Sequence, residues 1–356
     1  MSHPATREAQ RTTNYLLGFF AIVVGGGVLY MAQSVILPLI LAIFLTVVIG
    51  PALKVLTRKL PVWLALLIVL FGLAVLLVGG TLLFVATSYQ VAERAPDYVD
   101  RFQERFQGVI EQARSRGIEL SWDQIGLERG TGFALTFIGA GIGSVVSVVG
   151  QMAIVLFLTI FLALEATQFQ KKVEVGFKEG TREKIHHSAS AIIDQIQGYA
   201  MTKTLLSFLT GMGTYLICWG FGVDFPFFWG VLAFLLNYIP NVGSVIALVP
   251  PVLLSFLLFD GWGKQVGLLV SLVVVQNLIG NVLEPKLLSR SMKISALVVF
   301  LSMIFWGWLW GIVGVVLAVP LTVAVKIACG HVEMLRPFSI LLGGDPIPVE
   351  DPTSSR

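Results

Sequence analysis

The sequence predicts an all-α fold, a polytopic integral membrane helical bundle with two broken, re-entrant hairpin segments. Three observations carry that prediction. Of 356 residues, 56% are hydrophobic and only 13% are charged, about half the charged fraction of a soluble domain. Mean hydropathy is +0.86. Several uncharged runs exceed the roughly 18 apolar residues that mark a spanning helix, and two are far too long to cross once. A β-barrel would alternate apolar and polar residues in short segments, and no such alternation occurs.

The apolar runs cover 15–30, 35–53, 62–88, 133–164, 204–222, 226–259, 265–283 and 295–328. They organise the chain as a cytoplasmic N-terminal segment 1–14, three membrane helices over 15–88, an extracytoplasmic amphipathic helical region 89–131, a membrane core 132–336 and a cytoplasmic tail 337–356. The core holds a cytoplasmic amphipathic segment at 167–200 and the broken segments 226–259 and 295–328. The first run follows Arg7 and Arg11 and leads at once into a second. It therefore reads as a retained span, not a cleaved signal.

Lys and Arg are enriched in cytoplasmic loops. Lys54, Arg58 and Lys59 place the loop after the second run inside. Residues 89–131 carry eight acids and six arginines but no lysine, which suits the outer side. Lys171, Lys172, Lys178, Arg182, Lys184 and Lys203 place the next polar region inside. Tyr98, Phe102, Phe106, Val109 and Ala113 fall at helical spacing in the outer region, and Ser121 with Gln124 fits a capping box. They read as an amphipathic cover. Ile185, Ala189, Ile192, Ile196 and Tyr199 make a second such face inside.

Parity then constrains the long runs. If 226–259 crossed once, the segment with Lys286, Arg290 and Lys293 against Glu284 would lie outside, against the positive-inside rule. A 34-residue helix would also be about 51 Å long, beyond a ~30 Å hydrocarbon core. Entry and return on the outer side resolves both conflicts. The run 295–328 is equally long and is interrupted at Trp306-Gly307-Trp308-Leu309-Trp310-Gly311, so it reads as a hairpin from the inside. Both termini are then cytoplasmic. The stretch Gly243–Pro250 echoes Gly314–Pro320, one residue shorter. Broken segments at corresponding places are where repeat-built transporters bind their cargo.

Two polar constellations interrupt the apolar sequence. In the first, Pro240 lacks an amide hydrogen and disfavours helix at Ile239, while Gly243 tolerates backbone angles closed to other residues. Asn237, Asn241 and Ser244 at such a break either bond a solute or cap freed backbone. In the second, Asn277, Asn281 and Glu284 share one face of a helix, with Gln276 beside it. Polar groups in a membrane helix mark a solute path or an interhelical bond. Glu284 alternatively pairs with Lys286 or caps the turn at Pro285. The small faces Ser207, Gly211, Thr214, Cys218 and Gly139, Gly143, Ser147 read as close helix packing. Trp306, Trp308 and Trp310 read as interface anchors.

Several classes are excluded or disfavoured. Net charge is only +3 and basic residues are dispersed, which leaves no nucleic-acid footprint. His186 and His187 point different ways on a helix, so no metal site is expected. Cys218 and Cys329 read as core residues. No nucleophile elbow, metal-binding helix or phosphate loop occurs, so no enzyme, no cofactor and no ATP-driven pump is expected.

The stretches "FFWGVLAFLLNYIPNVGSVIALVPP" and "GNVLEPKLLSRSMKISALVVFLSMIFWGWLWGIVGVVLAVPLTVAVKI" resemble the autoinducer-2 exporter family of bacterial membrane proteins. The resemblance spans nearly the whole chain. It makes Asn237, Pro240, Asn241, Gly243, Ser244, Gly280, Asn281, Glu284, Pro285, Gly307 and Gly311 the family's motif positions. It implies a multi-pass inner-membrane transporter that exports autoinducer-2, while other members are associated with sodium/proton exchange. The expected substrate-binding set is Asn237, Pro240, Asn241, Gly243, Ser244, Gln276, Asn277, Asn281 and Glu284. Expected partners are a small-molecule solute, the lipid bilayer, further copies of the chain in a homo-oligomer and, where transport is coupled, H⁺ or Na⁺. The competing readings are a cation/proton antiporter and a non-transporting membrane scaffold.

Overall fold

Uncharged sequence without helix breakers becomes long helix in the computed structural model, which describes residues 20, 24–115, 130–240, 242–288, 294–330 and 335–344. Chain order gives α1 (24–31), α2 (Gln33–Leu56), α3 (Val62–Ser115), α4 (Gly130–Gly176), α5 (Glu179–Phe221), α6 (Pro226–Leu236), α7 (Val242–Leu258) and α8 (Trp262–Asn277). A six-residue π-helical segment, Leu278–Leu283, leads into α9 (Glu284–Leu288), followed by α10 (Ala296–Gly330) and α11 (Arg336–Leu341). Among the described residues, five stretches are long and apolar enough to cross a bilayer: Gln33–Leu56, Val62–Arg94, Glu179–Phe221, Trp262–Leu287 and Ala296–Gly330. The protein is an all-α, multi-pass membrane protein.

The amphipathic stretches are continuous with their neighbouring spans. α3 has 54 residues, about 81 Å of helix against a ~30 Å hydrocarbon core, so its charged C-terminal part projects well past the apolar part. α5 likewise joins the amphipathic stretch 185–199 to the run from Thr204. Nothing between Tyr199 and Thr204 breaks a helix. Ser121, Gln124, Asn241, Arg290 and Lys293 lie outside the described residues.

The chain forms two compact units. The first comprises Met1–Val47, Val155–Ile196 and Met292–Arg356, and the second Val48–Ile154 and Gln197–Ser291. In the second unit, Cys218, Val223, Trp229, Val252, Leu268 and Leu272 form a buried apolar cluster. The small face of α5 packs as expected. A methyl added at Gly211 would lie 2.7 Å from the Gly230 carbonyl, and one at Gly230 would lie 2.9 Å from the Gly211 carbonyl. Only glycine lets α5 and α6 meet backbone to backbone here. Gly143, by contrast, is exposed with open space around it, so the packing expected of its face does not reach that position.

Both long runs are broken where sequence chemistry breaks them. The first gives α6 and α7, which pack on each other across a turn at 237–241. In the first unit, α10 loses helical geometry at Trp310 (φ −131°, ψ 18°) and Gly311 (φ 63°, ψ −144°). The chain turns back there. Trp306 Nε1 donates to Thr322 Oγ1 at 3.2 Å, yet 16 residues of straight helix would separate them by about 24 Å. Gly311 supplies a left-handed φ that side chains resist. The three tryptophans do different jobs, correcting their common reading as interface anchors. Trp308 is exposed, Trp306 bonds across the fold-back and Trp310 is buried.

The projecting part of α3 is pinned to both loops that flank the α6–α7 pair. Tyr98 donates to Asp224 Oδ2 at 2.6 Å, Arg94 reaches the same oxygen at 3.4 Å, and Arg105 pairs with Asp260 at 3.4 Å. Burial, then the Asp224 carboxylate, raises the Tyr98 hydroxyl well above the ordinary value of 10.0. A phenol with a raised folded value contributes stability that is complete below pH ~10 and lost as pH climbs through that value. The alkaline absorbance titration of Tyr98→Phe should therefore lack one tyrosine that ionises later than a free phenol. An unchanged late phase would remove Tyr98 from this contact.

Candidate functional site

The turn between α6 and α7 satisfies its own backbone. The amide of Asn237 donates to Ala233 O, Ile239 to Leu236 O, Val242 to Pro240 O and Gly243 to Ile239 O. Lipid cannot solvate such groups, so these bonds are what make a break tolerable at membrane depth. The side chain of Asn237 is thereby released from capping. It is buried and donates from Nδ2 to Ser207 Oγ of α5 at 3.0 Å. Its neighbour Tyr238 shares a 2.9 Å hydrogen bond with Thr204 Oγ1.

Gly243 sets how tightly α7 returns. A Cβ there would sit 1.7 Å from Leu236 O and 3.2 Å from Ile239 Cβ. The echo seen in sequence has a local counterpart in α10. A Cβ at Gly314 would sit 1.9 Å from Trp306 O and 3.2 Å from Trp310 Cβ. In each case the glycine lies against the last carbonyls of the preceding helix and four residues beyond the packed Cβ. The two echoing glycines do the same steric job in their two breaks.

On α8 the helix changes register. The amide of Glu284 donates to Ile279 O, the five-residue step of a π-helix. Such segments recur at functional sites, and Gly280 within it weakens the α alternative. Asn277 Nδ2 donates to Val273 O at 2.8 Å, and Asn281 Nδ2 to Asn277 Oδ1 at 2.7 Å. The amides thus form a short ladder along one face. Gln276 Nε2 is buried and has no hydrogen-bond partner among the described residues.

These elements enclose one polar cavity of about 380 Å³ within the second unit. Asn237, Ser244, Gln276, Asn277, Asn281 and Glu284 all line it. Six of the nine residues expected from sequence are therefore brought together from α6, α7, α8 and α9. Pro240 and Gly243 are absent from the wall and shape the turn behind it. Asn241 lies outside the described residues.

Sequence reasoning missed Lys203. It served there only to orient the chain, yet its side chain is 1% exposed and lines the cavity. Its Nζ donates to Glu284 Oε1 at 2.5 Å. Glu284 therefore pairs with Lys203, 81 residues away, and Lys286 is not needed for that role. Tyr199, one helical turn before Lys203, is buried beside the pair and within electrostatic range of Glu284 and Tyr238. A signal was available. Lys203 and Ser207 are four residues apart, so both fall on one face of a helix that is about to enter lipid.

The family model for AI-2E family transporters matches residues 19–334. The AI-2 transport protein TqsA of Escherichia coli is 31% identical over 330 residues, covering 92% of this chain and 94% of that one. A candidate transport protein of Haemophilus influenzae is 30% identical over 335 residues, covering 92% and 95%. Another from Borreliella burgdorferi is 34% identical over 218 residues, covering 61% and 60%.

Proposed function

The chain belongs to the AI-2E transporter family, and we propose that it is a secondary exporter of a small polar solute, autoinducer-2, which it carries through the amide-lined cavity. The observation that carries this reading is the cavity itself. Four side-chain amides and a serine converge there from a broken hairpin and a π-helical segment. Uncharged amides donate and accept hydrogen bonds at once, which suits a hydroxyl-rich solute. The name of TqsA supports autoinducer-2 as that solute.

The proposal extends to topology. Asp224 and Asp260 flank the α6–α7 pair, and the same projecting helix α3 holds both. That favours entry and return of the hairpin on one side, the outer face of a bacterial inner membrane with both chain termini cytoplasmic. Cysteine at Asp260 should label only from outside, and cysteine at Ser289 only from inside. Labelling of Asp260→Cys from the cytoplasm would sink the hairpin model. An ion gradient, H⁺ or Na⁺, is the proposed energy source, because the sequence carries no nucleotide-binding motif. A homo-oligomer is the proposed assembly, measurable by light scattering.

Transport is tested with the purified full chain in proteoliposomes loaded with autoinducer-2. Efflux should exceed that of empty vesicles, and Asn281→Leu should lower it at least tenfold by leaving a bonding position apolar, roughly the effect of one lost hydrogen bond to a bound solute. Efflux equal to that of empty vesicles would end the autoinducer-2 reading. The antiporter reading needs a carboxylate free to exchange cations. Glu284 is committed to Lys203, which counts against it.

A further inference from the structure

We propose that the Lys203–Glu284 ion pair is the charge filter of this cavity, and that by neutralising each other in its wall the two side chains restrict it to uncharged solutes. This rests on the transport reading of the same cavity and adds to it the residues that set the class of cargo.

The remaining wall is neutral: asparagine, glutamine, serine, glycine and aliphatic side chains. Its two formal charges are Lys203 and Glu284, and they lie 2.5 Å apart. An ammonium that is 1% exposed has given up its hydration and is stable only with a partner. The pair is therefore not available to a third charge. An anion approaching Lys203 meets the carboxylate that already occupies it. A cation approaching Glu284 meets the ammonium in the same way. Either solute would shed water and gain no counter-charge. A neutral solute avoids that loss, because the amide ladder and the unpartnered Gln276 Nε2 can replace its hydrogen bonds to water.

Among the described residues, other ion pairs of the second unit serve elsewhere. Arg94, Asp224, Arg105 and Asp260 bind the projecting part of α3 to its two loops. The apolar groove between Phe208 and Phe234 offers almost no polar atom to a solute. Among the described residues, the formal charges of the cavity wall are therefore these two.

The test needs no knowledge of the natural cargo. Gly280 lines the cavity, and a Cβ added there meets nothing within 4 Å. The full chain carrying Gly280→Cys, with Cys218→Ala and Cys329→Ala, is purified in detergent. It is then labelled with three methanethiosulfonate reagents of similar size: neutral hydroxyethyl, anionic sulfonatoethyl and cationic trimethylammonioethyl. Each rate is divided by the rate of the same reagent with a free thiol in solution. The neutral reagent should react about tenfold faster than either charged one, because a charged reagent sheds water there and gains no counter-charge. Adding Glu284→Gln should then favour the anionic reagent over the cationic one by about tenfold, and Lys203→Gln should reverse that order. The double variant Lys203→Gln/Glu284→Gln should return to the parent pattern.

Charged reagents that label the parent as fast as the neutral one would overturn the filter, whether or not the single variants fold. Single variants with unchanged ratios would overturn it as well. Failure of autoinducer-2 efflux with this labelling pattern intact would instead remove the cargo and leave the filter standing.

Discussion

Gly243→Ala is expected to deprive the protein of its folded, monodisperse form in detergent, and Gly314→Ala is expected to do the same. A methyl at Gly243 would lie 1.7 Å from Leu236 O, and one at Gly314 would lie 1.9 Å from Trp306 O. Both obstacles are backbone atoms, so no side chain can rotate away. The opposing effect is small. Alanine favours helix over glycine by at most about 1 kcal/mol. Forcing a helix off a backbone carbonyl it already touches should cost about 3 kcal/mol, the upper end of the range for overpacking a well-packed core. The loss should therefore win at both positions. Gly280→Ala supplies the control, because its Cβ meets nothing within 4 Å, and its change should stay within about 1 kcal/mol. Thermal unfolding followed by size-exclusion chromatography distinguishes the three. If Gly243→Ala melts with the control, the close return of α7 is not what that glycine provides.

Most of this architecture could be read from the chain, and the reasons are local. Excess length and the Asn-Tyr-Ile-Pro-Asn-x-Gly-Ser chemistry located the first break, because proline and glycine act on their own backbone. The second break, at Trp310 and Gly311, falls within the interruption Trp306–Gly311 that excess length marked in the sequence. Asn277, Asn281 and Glu284 could be assigned to one face, because their spacing is a property of one helix. The assignment survived a change of register to π-helix that no periodicity announced. What stayed hidden was pairing at a distance. Lys203 is separated from Glu284 by 81 residues, and no local rule joins them. Ser207 looked like a packing residue, and it is also the hydrogen-bond acceptor of Asn237. Helix continuity was hidden for another reason. A polar stretch and an apolar run look like two elements in sequence, yet α3 and α5 carry both without interruption.

The buried pair leads to an asymmetric expectation: Glu284→Ala should destabilise far more than Lys203→Met. The two partners differ in burial, with side chains 20% exposed for Glu284 and 1% for Lys203. Removing the carboxylate strands an ammonium whose side chain is only 1% exposed, and breaking a buried pair in this way costs about 3–5 kcal/mol. Removing the ammonium strands a carboxylate at the edge of an open cavity, where water can take over its bonds. That loss should be closer to 1–2 kcal/mol, the scale of one charged hydrogen bond. Glu284→Gln should fall between them, because its amide oxygen still accepts from Lys203 Nζ. Joining Lys203→Met to Glu284→Ala should recover part of the larger loss, since no charge then remains to be stranded. Melting temperatures of the four variants in one detergent measure the whole cycle. Equal losses for the two single variants, or simple addition in the double, would mean that the pair is hydrated and that its burial in the cavity wall does not govern its energetics.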